Sequence, residues 1–284
     1  MPKIAYVDIG ELGWSLYLSA HLRWLKENTD YSLAIIVSSD RKCLYGDSAD
    51  LVLDVPYDFY EKFKGEQNCF GLYPPIRKKA REYFQKILPS DYVIPENFNF
   101  SCNRNFLMNK VIYKPYGYAK KLKGKEKILI FPRQREHPAF SYRNLSRSFY
   151  IELIEILCNE FPDYEVKTIG LNSGSYNIGE IKKNNYINGV KEGLDLQNMI
   201  DECQLAIAAI GGTSSLPKIS LLQKVPTFIM GHEKKRFIEH ENWLKTKTEF
   251  YKIGRYSYAK LNSKECINRI ILFIKEENNG KGSN

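Results

Sequence analysis

The chain has 284 residues, 43% of them apolar and 13% aromatic, enough to fill the cores of two ordinary domains. Its 42 Lys and Arg against 33 Asp and Glu give a formal charge of +9, which favours anionic partners, yet the excess is spread along the chain and forms no basic tail. No apolar run reaches membrane-span length, Met1-Pro2-Lys3 leads into a strand with no signal-like segment, and no zinc-finger, RNA-binding or basic heptad pattern accompanies the charge; a cytoplasmic protein that does not bind nucleic acid is expected.

In chain order, Lys3 to Ile9 predicts a buried strand, Gly10-Glu11-Leu12-Gly13 a turn, and Leu16, Leu18, Leu22 and Leu25 a helix. Ser32 to Val37 and Asp50 to Val55 predict two more strands, so the first half reads as β-α-β units. Residues 57 to 115 are less regular, with a helix expected near Ile76 to Ile87, and Lys114 to Lys127 reads as a charged linker. The pattern then restarts. Strands are predicted at Ile128 to Phe131, Val166 to Ile169, Leu205 to Ile210 and Val225 to Met230, with helices at about Ser146 to Glu160, Leu194 to Cys203 and Ser263 to Glu277. The last helix carries Ile267, Ile270, Ile271 and Ile274 as a stripe that needs a partner, and the tail Asn278 to Asn284 is expected to be disordered. Six cysteines without a Cys-x-x-Cys pair read as reduced packing residues. The fold class is therefore α/β: two Rossmann-like domains, 1–118 and 119–284, with parallel sheets facing across a cleft and the last helix packing back on the first domain.

Ligands of such folds sit at the carboxyl ends of the strands, so the loops there are the candidate site. Ile210-Gly211-Gly212-Thr213-Ser214-Ser215-Leu216-Pro217 runs from a buried strand through two glycines and three hydroxyls into a helix. Such a turn brings amides and a helix N-terminus to a phosphate, or serves only as a capped strand-to-helix turn. Pro132-Arg133-Gln134-Arg135-Glu136-His137 offers two arginines for bidentate grip of a diphosphate, or is a solvated charged loop. Arg143 and Asn144 precede a helix that Ser146 caps, and His232 with Glu233 follows the next strand, where a carboxylate can accept from ribose hydroxyls.

These residues resemble a glycosyltransferase of the two-Rossmann GT-B type, and within it the heptosyltransferase-related group. The resemblance is carried by Leu12-Gly13-Trp14-Ser15-Leu16, Phe131-Pro132-Arg133, Arg143-Asn144 and Gly211 to Pro217. It implies a second half that clamps a nucleotide sugar through Arg133, Arg135, Arg143, Asn144, Gly211, Gly212, Thr213, Ser214, Ser215, His232 and Glu233, and a first half that takes the acceptor. Members of that group carry a catalytic aspartate where this chain has Trp14. Gly10-Glu11-Leu12-Gly13-Trp14 is similar instead to a Gly-Glu-Phe-Gly-Trp variant, which leaves Glu11 on the loop and Asp8 at the strand end.

An acceptor hydroxyl that attacks in one displacement must lose its proton, so a general base is required. Glu11 is the expected base and Asp8 its substitute, with helix capping as the alternative role of Glu11; Trp14 either packs or stacks on an acceptor sugar. No Asp-x-Asp motif stands beside a strand end, Asp47-Ser48-Ala49-Asp50 being spaced differently, so no cofactor and no metal are expected and the arginines carry the leaving charge. The expectation is a metal-independent inverting transferase of polysaccharide biosynthesis that uses a nucleotide sugar and a glycan or lipid-linked acceptor. Lys78-Lys79 and Lys120-Lys121 would give peripheral contact with the inner face of a membrane. Two rivals share the fold: a nucleotide-sugar 2-epimerase that drafts His137 or His232, and a non-catalytic nucleotide-sugar- or partner-binding module. A dehydrogenase is disfavoured by the lack of Gly-x-Gly-x-x-Gly.

Overall fold

The computed structural model describes residues 1–63, 67–68, 71–72, 74–95, 114–136, 141–232, 245–255, 257–258 and 261–281. They belong to two compact units, Met1–Tyr113 and Lys114–Asn284.

In the first unit β1 (Lys3–Asp8), β2 (Ser32–Val37) and β3 (Leu51–Asp54) form a parallel sheet in that order. The apolar runs put Ala5, Val7, Ala34 and Ile36 into one core with Phe59, Phe63 and Phe84, as strands covered on both faces require. Val93 adds a parallel bridge on the outer side of β1. Helix α1 (Leu12–Asn28) begins directly after the loop, so Gly13 and Trp14 lie in its first turn rather than before it. A 3₁₀ segment, Ser39–Leu44, was not visible in the periodicity. Helices α2 (Phe59–Lys62) and α3 (Pro74–Gln85) follow, with a two-residue hairpin pair β4 (Gln67–Asn68) and β5 (Gly71–Leu72) between them.

The second unit holds six parallel strands, β6 (Lys127–Phe131), β7 (Glu165–Thr168), β8 (Tyr186–Asn188), β9 (Ala206–Gly212), β10 (Thr227–Gly231) and β11 (Thr248–Lys252), in the order β11-β10-β9-β6-β7-β8. From β6 the chain builds outward to β8, then returns to start again at β9 on the other side. That is the doubly wound nucleotide-binding order, and its reversal point lies between β6 and β9. Helices α4 (Arg147–Glu160), α5 (Leu196–Glu202), α6 (Pro217–Leu222) and α7 (Ser263–Lys281) complete the described elements of the unit. Ser146 caps α4, its Oγ accepting from the Phe149 amide at 3.1 Å.

Three expectations change. The stripe of α7 is covered inside its own unit, Cys266, Ile267, Ile270, Phe273 and Ile274 lying in one core with Ile207, Phe228 and the α4 residues Leu153 and Ile154. The helix also runs on to Lys281, beyond the expected end. The segment read as a linker is stitched to the second unit: the Gln223 side chain accepts from the Tyr116 amide at 2.6 Å and donates to the Tyr116 carbonyl at 3.1 Å, and Asp201 accepts from the Ala119 amide at 2.9 Å. Partners far along the chain satisfy its backbone, which no local pattern reveals.

Two lysines on strands are also internal. Lys127 and Lys167 share the buried Glu202, at 2.7 and 3.1 Å, while Glu165 and Glu192 take their other sides at 3.1 and 3.0 Å. Charge pairing is what allows them to stand in a central sheet. Among the described cysteines Cys158, Cys203 and Cys266 are buried and unbridged. No helix among the described residues is long and apolar enough to cross a membrane.

Candidate active site

The reversal point of the second sheet gathers most of the predicted phosphate residues. Arg133 leaves the end of β6 and is only 5% exposed. Its guanidinium donates to Asn144 Oδ1. The same oxygen accepts from the Arg135 amide at 3.0 Å, and Asn144 Nδ2 donates to the Arg135 carbonyl at 2.9 Å. Asn144 is thus a clamp that fixes the loop carrying both arginines. Tyr150 on α4 donates no charge here; its buried hydroxyl accepts from the Arg133 amide at 3.3 Å. On the other side the loop after β7 docks by an antiparallel bridge of Ser175 to Arg133, with Tyr176 N donating to Pro132 O at 2.7 Å and Gln134 N to Gly174 O at 2.9 Å. Ser175 is buried with its Oγ unpaired. Neither Asn144 as a clamp nor Ser175 as a wall carries a local signal, because each is defined by a partner on another strand end.

Arg143 reaches across to the glycine turn, its guanidinium donating to the Thr213 carbonyl at 3.4 Å. Burial, with Arg143 and Arg135 nearby, lowers the Arg133 guanidinium to about 10. Three like charges therefore hold one another at a cost that an anion would relieve.

The two glycines of the turn have different reasons. A Cβ on Gly211 would stand 2.4 Å from Pro217 Cγ and 3.2 Å from Phe131 Cβ, so the strand packs on the proline only as glycine. A Cβ on Gly212 would meet nothing nearer than 3.8 Å, the carbonyl of Met230. Gly212 is buried, with Arg133 Cδ 4.0 Å from that position, so a methyl fits there at ordinary contact distance. Ser214 and Ser215 are half-buried in the turn, and the Ser214 amide donates to the Gly212 carbonyl at 2.7 Å. The expected helix dipole is weaker than anticipated, because α6 has six residues, Leu216 occupies its cap position and no hydroxyl caps it.

His232 follows β10, its Nδ1 3.1 Å from the Tyr258 hydroxyl and its ring 6.0 Å from that of Tyr142. Arg143 and Arg255 both stand over Tyr142, at 5.8 and 6.0 Å. Burial raises the Tyr258 phenol, against the Thr213 hydroxyl and Arg143. Glu233 and His137 lie outside the described residues.

In the first unit Asp8 closes β1 at 3% exposure. Its Oδ2 accepts from the Tyr45 hydroxyl at 2.7 Å, and Oδ1 lies 3.6 Å from Arg41 Nη1. Burial pushes the Asp8 carboxyl up, with Arg41, Tyr45, Ser15 and the Gly10 amide opposing. Arg41 also donates to Ser15 Oγ at 3.0 Å and to the Gly10 carbonyl, so the loop is held by the residue that Asp8 holds. Glu11 sits at the cap position of α1 with an extended backbone, and its side chain makes no capping bond. Among the described residues its carbonyl accepts from Trp14 N at 2.8 Å and Ser15 N at 3.3 Å. Trp14 is half-buried, 5.9 Å from the Tyr17 ring. Asp47 and Asp50 are engaged elsewhere, with Arg23 at 3.0 Å and the Leu33 amide at 2.9 Å. Of the two lysine pairs, Lys78 and Lys79 are exposed on α3, while Lys120 bonds Asn198 at 2.8 Å.

Solved structures share this fold over almost their whole length. A glycosyl transferase family 9 protein from Veillonella parvula superposes with a TM-score of 0.63 over 97% of both chains at 8% identity. E. coli ADP-heptose LPS heptosyltransferase II gives 0.61 at 11% identity, covering 97% of this chain and 99% of that one. The fold is that of the heptosyltransferases. E. coli heptosyltransferase WaaC with ADP agrees, at 0.60 and 10% identity over the same shares. No family model matches the chain, and no curated protein does. With so little identity the shared property is the fold.

Proposed function

We propose that the chain is a glycosyltransferase that moves a sugar from a nucleotide-diphosphate donor to a glycan or lipid-linked acceptor, by single displacement with inversion and without a metal. The observation that carries it is the reversal point of the second sheet, where Arg133 and Arg135, clamped by Asn144, meet the turn after Gly212 to which Arg143 bonds. Heptosyltransferases solved with ADP or an ADP-sugar have this fold, which supports a diphosphate at the arginines. The guanidiniums and turn amides neutralise the leaving diphosphate, the task a divalent cation performs elsewhere. Thr213, Ser214 and Ser215 add hydroxyl donors, and His232 with Glu233 serves the nucleoside end.

Glu11 takes the acceptor proton. Its side chain is uncommitted to the helix cap, whereas Asp8 is enclosed and acts by fixing Arg41 and, through it, the Gly10 carbonyl. The work is placed in the cytoplasm, at the inner face of a membrane when the acceptor is lipid-linked.

The test is a thermal-shift panel of nucleoside diphosphates and nucleotide sugars, with and without Mg²⁺, on wild type, Arg133→Ala and Arg143→Ala. A ligand at a hundred times its dissociation constant adds about 2.7 kcal/mol. One nucleotide should stabilise wild type equally with and without Mg²⁺ and fail to stabilise either variant. Silence across the panel would sink the reading in favour of a non-catalytic module. With the donor known, Glu11→Gln should keep nucleotide binding and lower transfer by about 10²–10⁴-fold.

A further inference from the structure

Segment 55–63 follows β3 at the carboxyl edge of the first sheet, the edge where α/β sheets receive ligands. It is anchored firmly. Phe59 is fully buried and Phe63 nearly so, their rings 5.0 Å apart, and Phe59 lies 4.7 Å from Phe84. The Tyr83 hydroxyl donates to Asp58 at 2.5 Å. On this fixed turn Tyr57 is 96% exposed and Tyr60 43% exposed. Tyr60 sets its ring edge-on to Phe59 at 5.3 Å, which fixes it on the core, and it and Tyr57 leave aromatic surface in solvent at the edge of the sheet where ligands bind.

The 3₁₀ segment that carries Arg41 is tied to the start of this turn, Lys42 Nζ lying 2.7 Å from Asp54 Oδ2 and the Val55 amide donating to the Val37 carbonyl at 3.1 Å. Burial raises the Tyr60 phenol, with Arg41 opposing and Asp40 and Asp8 adding to the rise. Arg41 is the residue that holds the Gly10 carbonyl. The tyrosine turn therefore borders the loop of Glu11.

We propose that Tyr57 and Tyr60 form a stacking platform for a sugar ring, the acceptor subsite of the transfer proposed above, on which the name acceptor rests. A pyranose has an apolar face of C–H bonds and a rim of hydroxyls. The negative ring faces of tyrosine suit the first, and the Asp40 carboxylate with the Arg41 guanidinium, 3.8 Å from it, suits the second. An anionic lipid surface fits poorly, because exposed Asp54, Asp58 and Glu61 flank the tyrosines.

The experiment uses the fluorescently labelled full chain on a microarray of synthetic and bacterial-type oligosaccharides, with Tyr57→Ala, Tyr60→Ala and Tyr60→Phe beside wild type. Wild type should bind a defined set of saccharides, each alanine variant at least tenfold more weakly, and Tyr60→Phe nearly as well, with the melting temperature unchanged in Tyr57→Ala and Tyr60→Phe and lowered in Tyr60→Ala by the lost ring contact with Phe59. Absence of saccharide binding by wild type, or equal binding by the alanine variants, overturns the platform. So does a loss of sedimentation with phosphatidylglycerol vesicles in the alanine variants without any saccharide effect. Nucleotide stabilisation, measured on the same proteins, should be the same in all four. If no nucleotide stabilises wild type while the saccharide result holds, the transferase reading falls and the platform stands.

Discussion

Gly211 and Gly212 are adjacent, identical in side chain and opposite in expected response. Gly211→Ala places a methyl carbon 2.4 Å from Pro217 Cγ, 3.1 Å from Pro217 Cβ and 3.2 Å from Phe131 Cβ. None of these yields cheaply, since the proline ring opens α6 and Phe131 ends the central strand β6. Overpacking of this kind costs up to about 3 kcal/mol, and the stiffer unfolded chain returns about 0.7 kcal/mol. The net expectation is a loss of about 2 kcal/mol. Gly212→Ala meets only ordinary contacts at 3.8 and 4.0 Å, so it should be neutral or stabilising by about 0.5 kcal/mol. Its methyl, however, stands 4.0 Å from Arg133 Cδ, against the arginine proposed to hold the diphosphate. Urea unfolding followed by circular dichroism reads the first difference; at a slope of about 2 kcal/mol/M, Gly211→Ala lowers the midpoint by about 1 M. Nucleotide titration reads the second, with Gly212→Ala expected to bind at least tenfold more weakly. A Gly211→Ala protein as stable as wild type would refute the packing reason, and a Gly212→Ala protein with undiminished nucleotide affinity would refute the position of the ligand.

Lys224 stands at the left-handed position after α6, with φ 63° and the Val225 amide bonded back to Ser220 at 2.9 Å; Lys224→Gly should stabilise by about 1 kcal/mol in the same urea assay, since only glycine takes that φ without a Cβ clash. Asn144→Ala removes the clamp on Arg133 and Arg135 and should weaken nucleotide binding by about 10–100-fold, and unchanged affinity would assign the loop's order to other contacts. The Glu202 carboxyl is buried, which raises it, but Lys127 and Lys167 outweigh burial and hold it below its ordinary value. Its folded pKa being the lower one, its contribution is complete above the unfolded pKa and is lost as pH falls through the folded value. Melting temperature measured from pH 7 downward should therefore fall on the acid side, with a shallower fall in Glu202→Gln. That variant should be about 3 kcal/mol less stable at pH 7, the lower end for a broken buried pair, because Glu165 and Glu192 still face the lysines.

Much of the architecture was legible in the chain. Apolar runs such as Ser32 to Val37 and Ala206 to Ile210 are long and β-branched enough to declare buried parallel strands, and Ser146 announced its helix by capping chemistry. Period and propensity act between near neighbours, so the sequence by itself determined the two α/β halves and the strand-end loops between their elements. It did not yield β8, three partly polar residues that become a strand only through β7, nor β11, whose alternation is set against β10. The tertiary structure alone decided that β6 and β9 are neighbours, and hence that Arg133 and Gly212 share a site. It also decided that Asp8 is an enclosed anchor of Arg41 while Glu11 is left off the helix cap, and that Gly211 is glycine for the sake of Pro217. Each of these depends on contacts between segments far apart in the chain, and the energy of such a contact is a property of both partners, so neither segment records it alone.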